Sequence, residues 1–471
     1  MGFITINNNK YDFKEGETIL DVARRNQIEI PVMCYLEHIT PTGACRLCLV
    51  DIEGIDKSVA ACVTYAIDGM IVYTDTDKAQ KNRKKMMEFV LMKHPLDCPV
   101  CDKAGECMLQ DTAYSFGMKE EAFKTGKPQK PKSDWEMIIH DPNLCILCER
   151  CVKLCHEVEG MSALKIESRG FDNFIATAMG EKHVCDFCGI CVDNCPVGAL
   201  LDKPYKHSVR TWDLGKKRSV CTFCPVGCEL EYGLKDGEIY RSKAVDKGFT
   251  CSLGKYAFKY TSNPQRIVHS KKIEGGKLLD FGVDDAFKEI GERTKKLVDY
   301  YGTDSVCFLV GSNVSSEDMA IAKYIAERSN SRIISDLSFE YERYLSSYHN
   351  KFSTFDNIGK LEKLSESDLI FVVGSDLKSE ALGVKWSIMN SSVKNDGKLV
   401  VIGLTECEYG YMADAVLKAD YGDFANIFER IKSDKDSIYE DIRGYIKNAS
   451  RVSFVVGNEY MQAEKQTDAV F

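Results

Sequence analysis

Two rhythms of apolar and polar residues run along this chain, and they change over near residue 270. The chain opens with Phe3-Ile4-Thr5-Ile6, a turn over Asn7-Asn8-Asn9 and a second short strand near Tyr11 to Phe13. Thr18 then predicts the cap of a helix running to about Arg25, with Ile19, Leu20, Val22 and Ala23 as its apolar positions. Strand-like runs at Leu47 to Ile52 and Met70 to Tyr73 complete a small mixed sheet with one helix over residues 1–78. Residues 79–118 read as helical, and 119–134 are charged and proline-bearing, hence a linker. Residues 135–205 hold two copies of one pattern, and 215–270 form a further compact unit.

From about residue 280, strand candidates at Ser305 to Val310, Arg332 to Ile334, Leu369 to Val373, Leu399 to Ile402 and Val452 to Val456 alternate with helices such as Asp284 to Tyr300 and Ser316 to Arg328. Short buried strands between amphipathic helices predict a doubly wound parallel sheet over residues 280–471. Three strands run into glycine, at Gly311, Gly374 and Gly403. Neither a G-x-G-x-x-G fingerprint nor a Walker sequence accompanies them, so no nucleotide site is assigned.

Composition adds three constraints. A length of 471 residues predicts about three or four domains. Acidic residues outnumber basic ones, 71 to 62, which argues against a nucleic-acid partner. Nineteen of the 21 cysteines fall between Cys34 and Cys251. The opening MGFITINNNKYDF has no basic and apolar leader, and no apolar stretch is long enough to span a membrane. The expectation is a cytoplasmic chain without direct membrane insertion, whose clustered cysteines are thiolate metal ligands rather than disulfides.

The cysteines fall into groups with distinct spacings. Cys34, Cys45, Cys48 and Cys62 suit a 2Fe-2S cluster, with Gly43 letting backbone amides approach the sulfurs; zinc is the competing reading. Cys98, Cys101 and Cys107 are one ligand short of a 4Fe-4S cluster, and His94 is the nearest residue able to complete the set. A neutral imidazole in place of a thiolate removes a negative charge and should raise the potential. Cys145-x2-Cys148-x2-Cys151-x3-Cys155 and Cys185-x2-Cys188-x2-Cys191-x3-Cys195-Pro196 repeat the two-cluster ferredoxin pattern, in which each run's last cysteine serves the other run's cluster. One 4Fe-4S centre would use Cys145, Cys148, Cys151 and Cys195, and the other Cys185, Cys188, Cys191 and Cys155. Cys221, Cys224, Cys228 and Cys251 supply four ligands for another 4Fe-4S cluster or, taken alone, for zinc. Cys307 and Cys407 are left over and read as small core residues. One 2Fe-2S and four 4Fe-4S clusters in one stretch of chain predict an electron relay.

The strings HPLDCPVCDKAGECMLQD and CPVGAL, with this order of cysteine groups, resemble the large iron-sulfur subunit of respiratory complex I, the bacterial NADH dehydrogenase. They resemble equally the N-terminal regions of iron-only hydrogenases and NAD-dependent formate dehydrogenases. Residues 215–471 look like the cluster-bearing start and first α/β portion of the molybdopterin oxidoreductases. The resemblance implies a multidomain α+β and α/β fold. A β-grasp 2Fe-2S ferredoxin occupies 1–78, a helical domain whose cluster has one histidine and three cysteine ligands 79–118 and, after the linker, a two-cluster ferredoxin 135–205. A small molybdopterin-oxidoreductase-type 4Fe-4S domain at 215–270 and a truncated α/β domain of that family at 280–471 follow.

Departures from these families narrow the expected function. Complex I subunits generally keep one cluster in the ferredoxin-like region, whereas Cys185, Cys188 and Cys191 are all present here. No later cysteine group offers a hydrogenase active site. The lysine that molybdopterin enzymes usually carry two residues after the last cluster cysteine is Leu253, and Tyr348 stands where formate dehydrogenases place their metal-binding cysteine or selenocysteine. Later domains of a pterin cleft do not follow Phe471, so no molybdopterin is expected. The chain is expected to be an electron-transferring iron-sulfur subunit of a soluble, multisubunit NAD(P)H-linked oxidoreductase, without catalytic residues or a substrate site of its own. Its partners would be a flavin- and NAD(H)-binding subunit resembling the flavoprotein of complex I, bearing FMN or FAD, and a small 2Fe-2S thioredoxin-like subunit or domain. A further NAD(P)-binding flavin subunit and ferredoxin would join them if the host is an electron-bifurcating transhydrogenase. A complex I peripheral arm, a small formate dehydrogenase and a structural docking subunit are the alternatives.

Overall fold

The computed structural model describes residues 2–37, 39–120, 123, 126, 129–167, 172–178, 185–245, 249–311, 314–335, 338–356, 358–404 and 410–463. They form two compact units, one of residues 1–221 and 228–258, the other of residues 222–227 and 259–471.

The first unit begins with a five-stranded sheet. β1 (Gly2–Ile6) pairs antiparallel with β2 (Asn9–Phe13) through a tight turn in which Asn7 and Asn8 both take positive φ. The sheet order is β2-β1-β5-β3-β4, with β3 at Leu49–Ile52, β4 at Val59–Ala60 and β5 at Ile71–Tyr73. Helix α1 (Ile19–Arg25) starts at the predicted cap: the Thr18 hydroxyl accepts from the Asp21 N–H, and the Asp21 carboxylate accepts from the Thr18 N–H. Its residues Ile19, Leu20, Val22 and Ala23 are buried.

The segment read as helical over 79–118 is two helices, α2 (Asp77–Lys93) and α3 (Met108–Ser115), separated by the second cysteine group. The two cysteine repeats that follow each enter a single-turn helix, α4 (Arg150–Lys153) and α5 (Ile190–Asp193). A π-helical turn, Leu154–Val158, continues α4 and carries Cys155. One apolar core runs through these segments, from Ile4, Leu20 and Val50 through Met87 and Leu109 to Ile138, Leu164 and Leu200. The cysteine segments therefore share an interior rather than hanging as beads.

A three-stranded antiparallel sheet of Gly215–Val220, Glu229–Lys235 and Glu238–Ala244 completes the first unit, with a short helix at Ser252–Tyr256. Two buried charge networks lock this sheet to the preceding segments. Glu106 receives a forked bond from Arg241 (2.8 and 3.1 Å) and a bond from Lys243 (2.6 Å). Lys255, fully buried, places its ammonium 2.6 Å from Asp193 and 2.8 Å from Asp202 and donates to the Ser242 carbonyl. Leu253, singled out by its spacing from Cys251, is 45% exposed.

The second unit holds the expected parallel strands, but in two sheets instead of one. Among the described residues, Cys307–Val310 pairs only with Arg332–Ser335, whereas the main sheet has four strands. It has Leu369–Val373 at its centre beside Lys398–Gly403, flanked by Val452–Val456 and by Ala415–Lys418, a strand missing from the sequence reading. Both faces of the central strands are covered: Leu369, Phe371 and Val373 point to one core, Ile370 and Val372 to the other. Cys307 corrects an expectation. It is exposed, because a two-stranded sheet encloses no core around its first residue. Cys407 lies outside the described residues.

Candidate metal centres

The four thiols of the first group perturb one another. Hydrogen bonds from Cys45 and Cys62 hold the Cys34 thiol far below its usual range and drive their own donors up; Cys62 likewise lowers Cys48. Cys34, Cys45, Cys48 and Cys62 are all buried. The loop reaches this arrangement through two left-handed residues, Gly43 (φ 63°) and Arg46 (φ 54°), and the Met33 N–H donates to Cys45 Sγ at 3.4 Å.

In the second group burial raises the Cys101 and Cys107 thiols, and the charge of Cys98 raises both further. His94 is buried at the C-terminal end of α2, four residues before Cys98. Gly198 makes room for this group: a β-carbon there would stand 2.6 Å from Cys101 Sγ.

The repeats give the clearest geometry. Cys145, Cys148, Cys151 and Cys195 line one small cavity. Cys155, Cys185, Cys188 and Cys191 line a second. Each cavity thus draws three thiols from one run and the fourth from the other. The backbone repeats as well. Leu147 and Glu149 have φ of 51° and 64°, and Phe187 and Gly189 at the same positions of the second run have 49° and 74°. These turns aim the Leu147 and Phe187 N–H groups at Cys145 Sγ (3.4 Å) and Cys185 Sγ (3.3 Å), and Ala163 N–H reaches Cys155 Sγ at 3.2 Å. Burial pushes Cys145, Cys148 and Cys185 up to about 12, and Cys151, Cys188 and Cys191 well above the usual value. Thiolates here would need a compensating cation.

One residue of the first cavity went unnoticed in the sequence. His140 stacks on Trp135 (4.8 Å between rings) and lines the cavity, and its buried Nε2 has no protein partner among the described residues. Burial lowers its pKa to about 4, so it is a neutral imidazole at physiological pH. A cluster sulfur is an acceptor such a nitrogen could use, and a 4Fe-4S group therefore fits this wall. A lone histidine five residues before a cysteine run carries no signal by which sequence alone could have marked it.

The fourth group is divided. Cys221, Cys228 and Cys251 belong to the first unit, with the Cys221 N–H on the Cys228 carbonyl (2.8 Å), and Cys224 belongs to the second. Among the described residues, no three His, Cys, Asp or Glu side chains are gathered as a single metal ion would require.

In the second unit, a cleft lies beside the carboxyl ends of Leu369–Val373 and Val452–Val456, lined among others by Tyr341, Glu342, His349, Ser375, Glu380 and Asn458. Gly374 (φ 55°) and Gly457 bring these ends together; a β-carbon on Gly374 would meet the Tyr460 backbone at 2.3 Å. No Lys or Arg lines the cleft among the described residues, and Tyr348 is buried in a stack with Phe352 and Phe355. Among the described residues, a phosphate-bearing group would meet two carboxylates and no lysine or arginine in this lining.

Cavities walled by buried thiols that accept backbone hydrogen bonds define an iron-sulfur protein. Family matches agree along the whole chain: a 2Fe-2S iron-sulfur cluster binding domain at 3–77, an NADH-ubiquinone oxidoreductase-G iron-sulfur binding region at 83–122, and an NADH-quinone oxidoreductase subunit 3 ferredoxin-like domain at 136–201. A molybdopterin oxidoreductase Fe4S4 domain follows at 215–263 and a molybdopterin oxidoreductase match at 270–465. The chain is 34% identical over 426 residues to NADPH-Fe(3+) oxidoreductase subunit alpha of Geobacter sulfurreducens, covering 88% of this chain and 50% of that one. It is 30% identical over 427 residues to the G 2 subunit of the NADH-quinone oxidoreductase of Rhizobium meliloti, covering 89% and 50%. The chain thus resembles the large iron-sulfur subunits of NAD(P)H-linked oxidoreductases, and it spans about half the length of these curated relatives. An NAD+-reducing nickel-iron hydrogenase structure aligns with a TM-score of 0.40 and 28% identity, over 44% of this chain and 90% of that one. Among the described residues no helix is long and apolar enough to cross a membrane.

Proposed function

We propose that this chain is the electron-relay part of a multisubunit NAD(P)H-linked oxidoreductase, holding one 2Fe-2S and four 4Fe-4S clusters. The observation that carries the reading is the pair of cavities in which the two cysteine runs exchange their last thiols. The clusters supply one-electron redox chemistry. The chain's own residues hold them, exclude water, and aim backbone N–H groups at the sulfurs, which sets the potentials. Cys34, Cys45, Cys48 and Cys62 would hold the 2Fe-2S cluster. His94 with Cys98, Cys101 and Cys107, the two exchanged sets of the repeats, and Cys221, Cys224, Cys228 and Cys251 would hold the others.

A flavin on a partner subunit would split hydride equivalents from NAD(P)H into single electrons, and a second partner would receive them. A bifurcating transhydrogenase using ferredoxin is the host we favour, because neither hydrogenase nor pterin chemistry finds its ligands in this chain. Anaerobic purification of the native assembly, with subunit identification and iron, zinc and flavin counting, tests this. About eighteen irons per copy of this chain and both 2Fe-2S and 4Fe-4S paramagnetic signals are expected after reduction. Zinc in their place, or Cys148→Ser and Cys188→Ser variants that turn over normally, would overturn it.

A further inference from the structure

Arg150 lies between Cys148 and Cys151, on α4, and only 5% of its surface is exposed. Its guanidinium reaches three cysteine groups at once. Nη2 donates to the carbonyl of Tyr35, the residue after Cys34, at 2.9 Å. Nη1 donates to the carbonyl of Asn194, the residue before Cys195, at 3.4 Å, and lies 3.4 Å from the sulfur of Met108, the residue after Cys107. Among the described residues no carboxylate lies within ion-pair distance, unlike Lys255 and Arg241, whose buried charges are matched. A buried cation with only carbonyl and sulfur neighbours is costly, and the structure tolerates it only if a counter-charge comes from elsewhere. Thiol-bearing segments meet at Arg150: it donates to the residue after Cys34 and lines the cavity of Cys145, Cys148, Cys151 and Cys195. A cluster held by four thiolates is a net anion, and each electron it accepts makes it more negative.

We propose that Arg150 bridges the Cys34-Cys45-Cys48-Cys62 centre and the Cys145-Cys148-Cys151-Cys195 centre, stabilising the added electron on either, so that one buried charge raises both potentials together. This rests on the cluster assignment above. It adds that these two centres are neighbours sharing one electrostatic determinant, and that Arg150 is a positioning residue for charge rather than a structural cross-link.

The test is a potentiometric titration of the whole assembly, followed by paramagnetic resonance, in Arg150→Met, Arg150→Gln and Arg150→Lys variants. Gln can keep a carbonyl bond without the charge, and Lys keeps the charge without the fork. In Met and Gln, the reduction equilibrium of the 2Fe-2S signal and of one 4Fe-4S signal should both fall about tenfold, or 59 mV for one electron. The Lys variant should stay within about threefold of the parent. Unmoved potentials in a neutral variant with full iron, a shift of one signal alone, or Lys shifting as far as Met would each overturn the proposal. Should both neutral variants lose iron, retention of iron by Lys supports the charge role, and loss from Lys as well refutes it. Failure of the cluster assignment looks different: the parent protein would then show no such signals.

Discussion

Gly198 shows how closely single residues are fitted around the centres. It follows Cys195 in the third group, yet its α-carbon packs against Cys101 of the second, where a methyl group would come within 2.6 Å of the sulfur. Gly198→Ala should therefore cost the second cluster, lowering iron by about four per chain and removing one 4Fe-4S signal while the others persist; an unchanged spectrum would show that the thiol can step aside. Glu106, next to Cys107, is a different case. Burial works against its charge, but Lys243, Lys103 and Arg241 prevail and hold it down to about 2. A carboxyl whose folded pKa lies below its ordinary 4.5 contributes fully above pH 4.5, and that contribution disappears as the pH falls toward 2. Glu106→Gln leaves Arg241 and Lys243 facing a neutral amide, and should destabilise the first unit by about 3 kcal/mol at pH 7, read as a lower unfolding temperature. The gap between variant and parent should narrow on acidification below pH 4.5.

At the level of elements, the paired loops carry both the symmetry and the way it breaks. Positions 149 and 189 share a left-handed backbone, but one is glutamate and the other glycine. At 189 a β-carbon would stand 2.7 Å from the aliphatic chain of Lys255, itself fixed by Asp193 and Asp202. Glu149→Gly should keep full iron and be neutral to about 1 kcal/mol stabilising, because it removes a left-handed non-glycine residue. Gly189→Ala should lose the Cys155-Cys185-Cys188-Cys191 cluster; iron analysis of the pair decides both. Local chemistry made much of this fold readable: the Thr18 cap, the apolar face of α1 and the cysteine spacings each depend on residues a few positions apart. The left-handed turns at Leu147 and Phe187 were not readable, since neither side chain prefers positive φ and the surrounding thiols dictate the loop. Ala415–Lys418 was missed because only Ala415 and Leu417 are buried, a four-residue alternation too short to stand out. The division of the parallel strands into two sheets was also hidden. The Val283–Tyr301 helix is amphipathic as expected, yet none of its residues is buried, and whether a face finds cover is settled by distant chain.

For the whole molecule, the two units hold different sites, except that Cys224 of the fourth cysteine group belongs to the second unit. The thiol-lined cavities and the buried Arg150 and Lys255 all lie in the first unit, whereas the cleft beside the Leu369–Val373 strand lies in the second. A molybdopterin oxidoreductase match over 270–465 describes a scaffold, and scaffold does not determine cofactor. Glycines that close the strand ends are in place at 374 and 457, so the backbone of a ligand-binding α/β edge is present. What the described lining lacks is cationic side chains for a phosphate, and Tyr348 is committed to an aromatic stack rather than to a metal. Glu380 is likewise engaged, accepting from Ser375 Oγ at 2.9 Å. The assembly, purified anaerobically with molybdate and tungstate supplied during growth, should accordingly contain iron but neither metal bound through this chain, and formate should not reduce a viologen dye. If stoichiometric molybdenum or tungsten co-purifies and is lost in a Gly457→Leu variant that retains its iron, the cleft holds a cofactor after all and the chain is a catalyst as well as a conductor.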